Sequence, residues 1–162
     1  MTVISTVPDT ATLTMTVVAE LAAPPKRAWQ LWVDPRQLER WWGPPTWPAT
    51  FIQHDVVVGG RSKYYMTGPD GEEAHGWWHI LTIDEPSLLE FEDGFADADD
   101  VPDPAMPTIL GRVDLQETGD GTRMTITSTF ASVEQMEQLI AMGMAEGMTL
   151  ALGQVDAILA AG

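Results

Sequence analysis

Along residues 12–21 the text "TLTMTVVAEL" alternates: Leu13, Met15 and Val17 fall on one side, Thr12, Thr14 and Thr16 on the other. A period of two marks a strand buried on one face. "AAPP" stops it, and Pro25 suits the first turn of a helix whose Ala28, Trp29, Leu31 and Trp32 form one apolar side. Asp34 caps a second helix, from Pro35 to Trp42, with Gln37 at the partner position of a capping box, until Gly43-Pro44-Pro45 breaks it. Residues 1–11, Thr-rich and polar with one proline, read as a flexible lead-in.

A run of strands follows. "ATFIQHDVV" and "RSKYYMT" flank Gly59-Gly60, "GPDG" turns the chain again, and "HGWWHILTID" and "LLEFED" are joined by the short "EPS". Strands joined by tight turns predict an antiparallel meander. The acidic, proline-rich stretch 94–107, "GFADADDVPDPAMP", suits neither a strand nor a helix and is expected to be a loop, either a lid or a solvated excursion. "TILGRVDLQE" and "TRMTITSTF" then pair across "TGDG".

Ser132, with Gln135 three residues on, starts a helix whose apolar pattern holds for some 25 residues. Met136, Ile140, Met144, Met148 and Leu152 form one row; Leu139, Gly143, Gly147, Ala151 and Val155 lie beside it. Each interior glycine costs about 1 kcal/mol relative to alanine, so close approach to a strand or room for a ligand must compensate. The order predicts one α+β domain over 12–160. About seven antiparallel strands curl around a long terminal helix, two short helices follow the first strand, and a hydrophobic cavity lies between sheet and helix.

Composition narrows the partners. With 24 acidic and 8 basic residues the formal charge is −16, which repels nucleic acid and anionic membrane surfaces despite a basic group at Lys26, Arg27, Arg36 and Arg40. The chain has no cysteine, which removes thiolate chemistry and suits a reducing compartment. "MTVISTVPDT" is no secretory leader and no stretch has the roughly 18 apolar residues of a membrane span, so a cytoplasmic location is expected.

Several motifs carry a family resemblance: "AAPPKRAWQLWVDP" at 22–35, "LERWWGP" at 38–44, "GGRSKYYMTGPDG" at 59–71, "IDEPSLLEF" at 83–91 and "GMAEGM" at 143–148. In this order the chain resembles the START-like helix-grip (SRPBCC) superfamily. Within it, the chain is similar to bacterial proteins related to the C-terminal domain of the activator of the heat-shock protein 90 ATPase. The resemblance implies a fold with an internal cavity. Members include lipid carriers, receptors, polyketide cyclases, toxin-sequestering proteins and co-chaperone domains of the stress response, with no shared catalytic set. Ala19 stands where relatives often have Arg, Ser62 where a large aromatic is common, and Met148 where Trp usually follows the glycine. If Ser62 and Met148 face inward, a larger or more pliable pocket follows.

Candidate chemistry is sparse. His75 and His79 lie about 13 Å apart along a straight strand and cannot share an ion, so neither a metal nor a cofactor is expected. No serine sits in a nucleophile elbow, and Gly59-Gly60 lacks the spacing of a phosphate loop. Trp77 and Trp78 must point to opposite faces, and Trp78 shares the parity of Ile80. The expected function is binding or sequestration of a small aromatic or lipid-like molecule. Its wall would be Trp41, Trp42, Tyr64, Met66, Trp78, Phe91, Met144 and Met148, with Tyr64 and His79 as polar handles and no catalytic residue. A cyclase- or hydrolase-type enzyme using His79 or Tyr64 as proton carrier, and a co-chaperone-like domain with a chaperone partner, are the alternatives; a homodimer is also open.

Overall fold

A computed structural model describes residues 2–161 of the chain. Eight antiparallel strands form one sheet in the order β1-β2-β8-β7-β6-β5-β4-β3. They are β1 (Thr2–Asp9), β2 (Thr14–Leu21), β3 (Ala49–His54), β4 (Arg61–Thr67), β5 (Glu73–Asp84), β6 (Leu88–Ala96), β7 (Ile109–Thr118) and β8 (Gly121–Thr129). The helices are α1 (Pro25–Val33), α2 (Pro35–Leu38), α3 (Val133–Ala141), α4 (Met144–Leu152) and α5 (Val155–Ala161). They cover one face of the sheet in the helix-grip manner.

The extra strand is β1. Residues expected as a flexible lead-in instead pair with β2 from Thr2↔Glu20 to Asp9↔Thr14, while Met1 lies outside the described residues. Pro8 is tolerated there because β1 is an edge. On β2 the alternation holds, with Met15, Val17, Ala19 and Leu21 all buried. Leu13 instead sits in the turn with positive φ, and its carbonyl accepts from Phe130 N.

Two caps act as expected. Asp34 accepts from Arg36 N at 2.9 Å, and its other oxygen accepts from Gln37 Nε2 at 3.0 Å, so Gln37 meets the cap's side chain instead of its backbone. Ser132 Oγ accepts from Gln135 N, while Gln135 Oε1 reaches back to Ala131 N at 2.6 Å.

The single long terminal helix is not found. Gly143 adopts φ +93°, a left-handed value that closes α3, and a second break at Gly153-Gln154 separates α4 from α5. Gly143 thus acts as punctuation, which removes the conflict with its poor helix propensity. Met136, Leu152, Val155 and Ile158 still face the sheet and are buried, so the apolar stripe survives in three jointed pieces.

Between the layers lies an aromatic cluster centred on Trp32. Its ring centroid is 4.7 Å from Trp41, 5.9 Å from Trp42, 6.4 Å from Trp78 and 6.2 Å from Phe91. Phe91 stacks on Trp78 at 4.0 Å, and Phe51 on Tyr64 at 4.9 Å. Such pairs add about 0.5–1.5 kcal/mol each beyond the area they bury. Gly111 serves this packing: a Cβ there would stand 2.6 Å from the Phe91 ring.

Trp32→Ala is expected to lower the unfolding free energy by about 3–5 kcal/mol in urea titration. Leu150→Ala, on the solvent side of α4, should shift it by less than about 0.5 kcal/mol.

Candidate functional site

The opening after α2 is shaped by "WWGPP". Helical backbone bonding runs on past Leu38, as Trp41 N and Trp42 N both donate to Leu38 O, and this places the two indoles about a quarter-turn apart. Trp41 is fully buried and its Nε1 donates to Leu31 O at 2.9 Å, which fixes the ring. Trp42 is half-buried and packs edge-on against Trp78 at 5.0 Å. Gly43 then turns the chain with φ +113°, and a Cβ there would lie 2.4 Å from Trp47 O. Its carbonyl accepts from Gln154 Nε2 at 2.8 Å, tying the turn to the joint between α4 and α5.

Against this turn lies a recess of about 130 Å³ bounded by Trp41, Trp42, Gly43, Pro44, Met66, Met144, Gly147, Met148 and Ala151. No charged side chain contributes to its wall. A Cβ on Gly147 would meet nothing within 4 Å, so that glycine leaves space open. Larger hollows elsewhere have charged side chains in their walls, such as the one of about 490 Å³ bounded by Glu20, Asp120 and Arg123.

The structure brings together five of the residues expected from sequence: Trp41, Trp42, Met66, Met144 and Met148. Tyr64, Trp78 and Phe91 face the same interior but belong to the packed cluster behind Trp42. The wide hollow expected between sheet and helix is therefore largely filled by indole and phenyl rings. His79, expected as a polar handle, does not line the recess. It shares the outer face with Trp77, and its Nδ1 lies 3.4 Å from Glu92 Oε1.

Ser62 does face inward, completely buried, yet it opens no pocket because an imidazole takes the room. His54 Nε2 lies 2.8 Å from Trp32 O, which can only accept, so the hydrogen is on Nε2. Nδ1 then accepts from Ser62 Oγ at 2.7 Å. Burial lowers the His54 pKa, and the bond to Trp32 O offsets this only in part.

Sequence reasoning passed over Asp93. The parity of Leu89 and Phe91 in "LLEFED" carries on to it, which was the available signal. Tyr64 Oη donates to Asp93 Oδ1 at 2.8 Å, and the phenol lies over Gly76, where a Cβ would come within 2.5 Å of it. Burial pushes the Asp93 carboxyl from 3.8 up to about 7. Burial, and then the charge of Asp93, raise the Tyr64 pKa well above its ordinary value, so this hydroxyl holds its proton more firmly than a free tyrosine. Trp42 Nε1 leans toward Tyr64 Oη without reaching hydrogen-bond geometry. Trp78 Nε1 is likewise buried without a hydrogen-bond partner.

The acidic loop is clipped by His75, whose Nδ1 lies 2.7 Å from Asp100 Oδ1 and whose Nε2 lies 3.1 Å from Glu73 Oε1. The Asp100 bond raises the His75 pKa. Among the described residues no group of three or more His, Asp or Glu side chains could hold a metal ion, and no helix is long and apolar enough to cross a membrane.

Because the fold favours the neutral Asp93 carboxyl, the stability it contributes is complete below about 3.8 and is lost as pH rises through about 7. Asp93→Asn keeps an acceptor for Tyr64 and removes this loss. Urea titrations should show the variant gaining on the parent between pH 5 and pH 8, by about 1–3 kcal/mol.

The family model described as Activator of Hsp90 ATPase homolog 1-like protein matches residues 22–160. A solution NMR structure of a protein from Arthrobacter aurescens is 52% identical, covering 99% of this chain and 94% of that one, with a TM-score of 0.93. A crystal structure of a Mycobacterium smegmatis protein is 47% identical over 98% of this chain and 97% of that one, with a TM-score of 0.89. A Rhodobacter sphaeroides protein, at 23% identity over 98% and 99% of the two chains and a TM-score of 0.84, is alike in fold. No curated protein matches the chain.

Proposed function

We propose that this chain, which belongs to the Activator of Hsp90 ATPase homolog 1-like family, binds or sequesters one small hydrophobic molecule between Trp42, Met66 and α4. The observation that carries the reading is the apolar recess of about 130 Å³. Membership of a family with a ligand-binding fold supports it.

Size sets the ligand class. An engineered apolar cavity of about 150 Å³ stays dry and takes up benzene, whereas pockets for larger ligands run to about 300–1,000 Å³. As it stands, the recess suits a single aromatic ring or a short branched alkyl group. Met66, Met144 and Met148 give it room to adapt, since an unbranched thioether changes rotamer at little cost. A lipid-like ligand enters only if these side chains move aside. The driving force is burial of apolar surface, worth about 25 cal/mol per Å² before the cost of immobilising the ligand.

Titration with toluene or indole-free monocyclic analogues, followed by tryptophan emission and by NMR shifts of the Met methyl groups, tests this directly. Saturable binding with a Kd on the order of 0.1–1 mM is expected for a seven-atom hydrocarbon. Gly147→Leu projects a side chain into the open space and should weaken binding about tenfold or more while leaving the urea midpoint unchanged or higher. No saturable binding to the parent chain would overturn the proposal.

A further inference from the structure

β3 is an outer strand of the sheet, and an outer strand presents N–H and C=O groups that another chain can pair with. Its register with β4 matches Phe51 to Tyr64, and a bulge follows between Phe51 and Gln53. The backbone groups of Phe51 that point away from β4 are not left open. Phe51 N donates to Glu39 Oε2 at 2.9 Å, and Phe51 O accepts from Arg36 Nη2 at 2.8 Å. Arg36 Nη1 and Glu39 Oε1 are themselves 3.4 Å apart. One carboxylate and one guanidinium, held together as an i,i+3 pair, thus present to Phe51 the acceptor and donor that a residue on a neighbouring strand would present.

Stability alone does not account for this placement. Arg36 is 67% exposed, and a solvent-exposed ion pair contributes little to folding. What the pair does achieve is directional: it occupies both hydrogen-bonding groups of one outward peptide position midway along a six-residue strand. The next residue, Ile52, is 54% exposed, so an uncovered β3 would offer an apolar side chain beside an open backbone. The opposite edge is blunted in its own way, because Pro8 on β1 has no N–H to offer and a bulge lies between Val3 and Ser5.

We propose that the Arg36–Glu39 pair is an edge guard, which takes up the N–H and C=O of Phe51 and so keeps a second copy of this chain from pairing along β3. The partner excluded is an identical strand, since β3 of a second copy brings the same exposed Ile52 and the same open backbone, in antiparallel register, through a two-fold axis. The inference is independent of the ligand recess, because neither side chain lines it.

The test compares the parent with Arg36→Ala/Glu39→Ala by sedimentation velocity across a concentration series, with amide hydrogen exchange read at Phe51. In the parent, Phe51 exchange is slow and independent of concentration. In the double variant it should be fast when dilute and slow again when concentrated, with the association constant raised about tenfold or more. Adding Ile52→Lys to the double variant should restore the monomer, since a charge on the strand opposes pairing. A double variant that stays monomeric, a parent that already pairs through β3, or self-association that Ile52→Lys does not reverse would each overturn the proposal.

Discussion

Trp32 leaves α1 and enters the centre of the covered face of the sheet, and the arrangement of the interior is conditioned by that insertion. An indole is a large apolar body with one polar hydrogen, so its burial is favoured by aromatic neighbours around the ring and by an acceptor for Nε1. Trp41, Trp42, Trp78 and Phe91 supply the first, and the sulfur of Met124, at 3.4 Å, supplies the second. With this volume taken, an apolar recess remains on the far side of Trp42. The recess is what is left where the aromatic layer ends and the methionines of α4 begin.

Polar contacts fix the parts around that space. His54 bridges Ser62 on β4 and the last turn of α1, so the short side chain at 62 is matched by an imidazole from the neighbouring strand. Gln154 fastens the Gly43 turn. Arg27 joins Gln37 of α2 to Ile158 O of α5, which links the first helical layer to the last. Each bond lies between elements that packing has already brought together, and each pairs polar groups that are partly withdrawn from water.

Local pattern carried much of the architecture. Alternation placed Met15, Val17 and Trp78 on the covered face, and the caps at Asp34 and Ser132 were legible because capping depends on a few adjacent residues. β1 was not legible, since a polar, threonine-rich edge strand owes its existence to its partner β2 and carries little apolar signal of its own. The Gly143 break was obscured for the opposite reason: a strong i,i+4 apolar row runs across it, and periodicity cannot register one left-handed residue. At the site, the methionines and the paired indoles were readable as inward-facing bulk, but whether bulk leaves a hollow depends on summed volumes that no linear pattern contains. His79 shares the parity of Trp77, which puts it on the face of the sheet away from the recess.

The left-handed residue at 143 and the joint at Gly153-Gln154 divide the terminal segment, and the middle piece carries only Ala151 and Leu152 as buried residues. α3 is seated through Met136 and α5 through Val155 and Ile158, so all three pieces are anchored to the same interior. The nine residues of α4, which give Met144, Gly147, Met148 and Ala151 to the recess, therefore have a joint at each end. An unbroken rod would have to tilt as a whole to admit a bulkier guest, whereas this chain can yield locally and keep its sheet undisturbed.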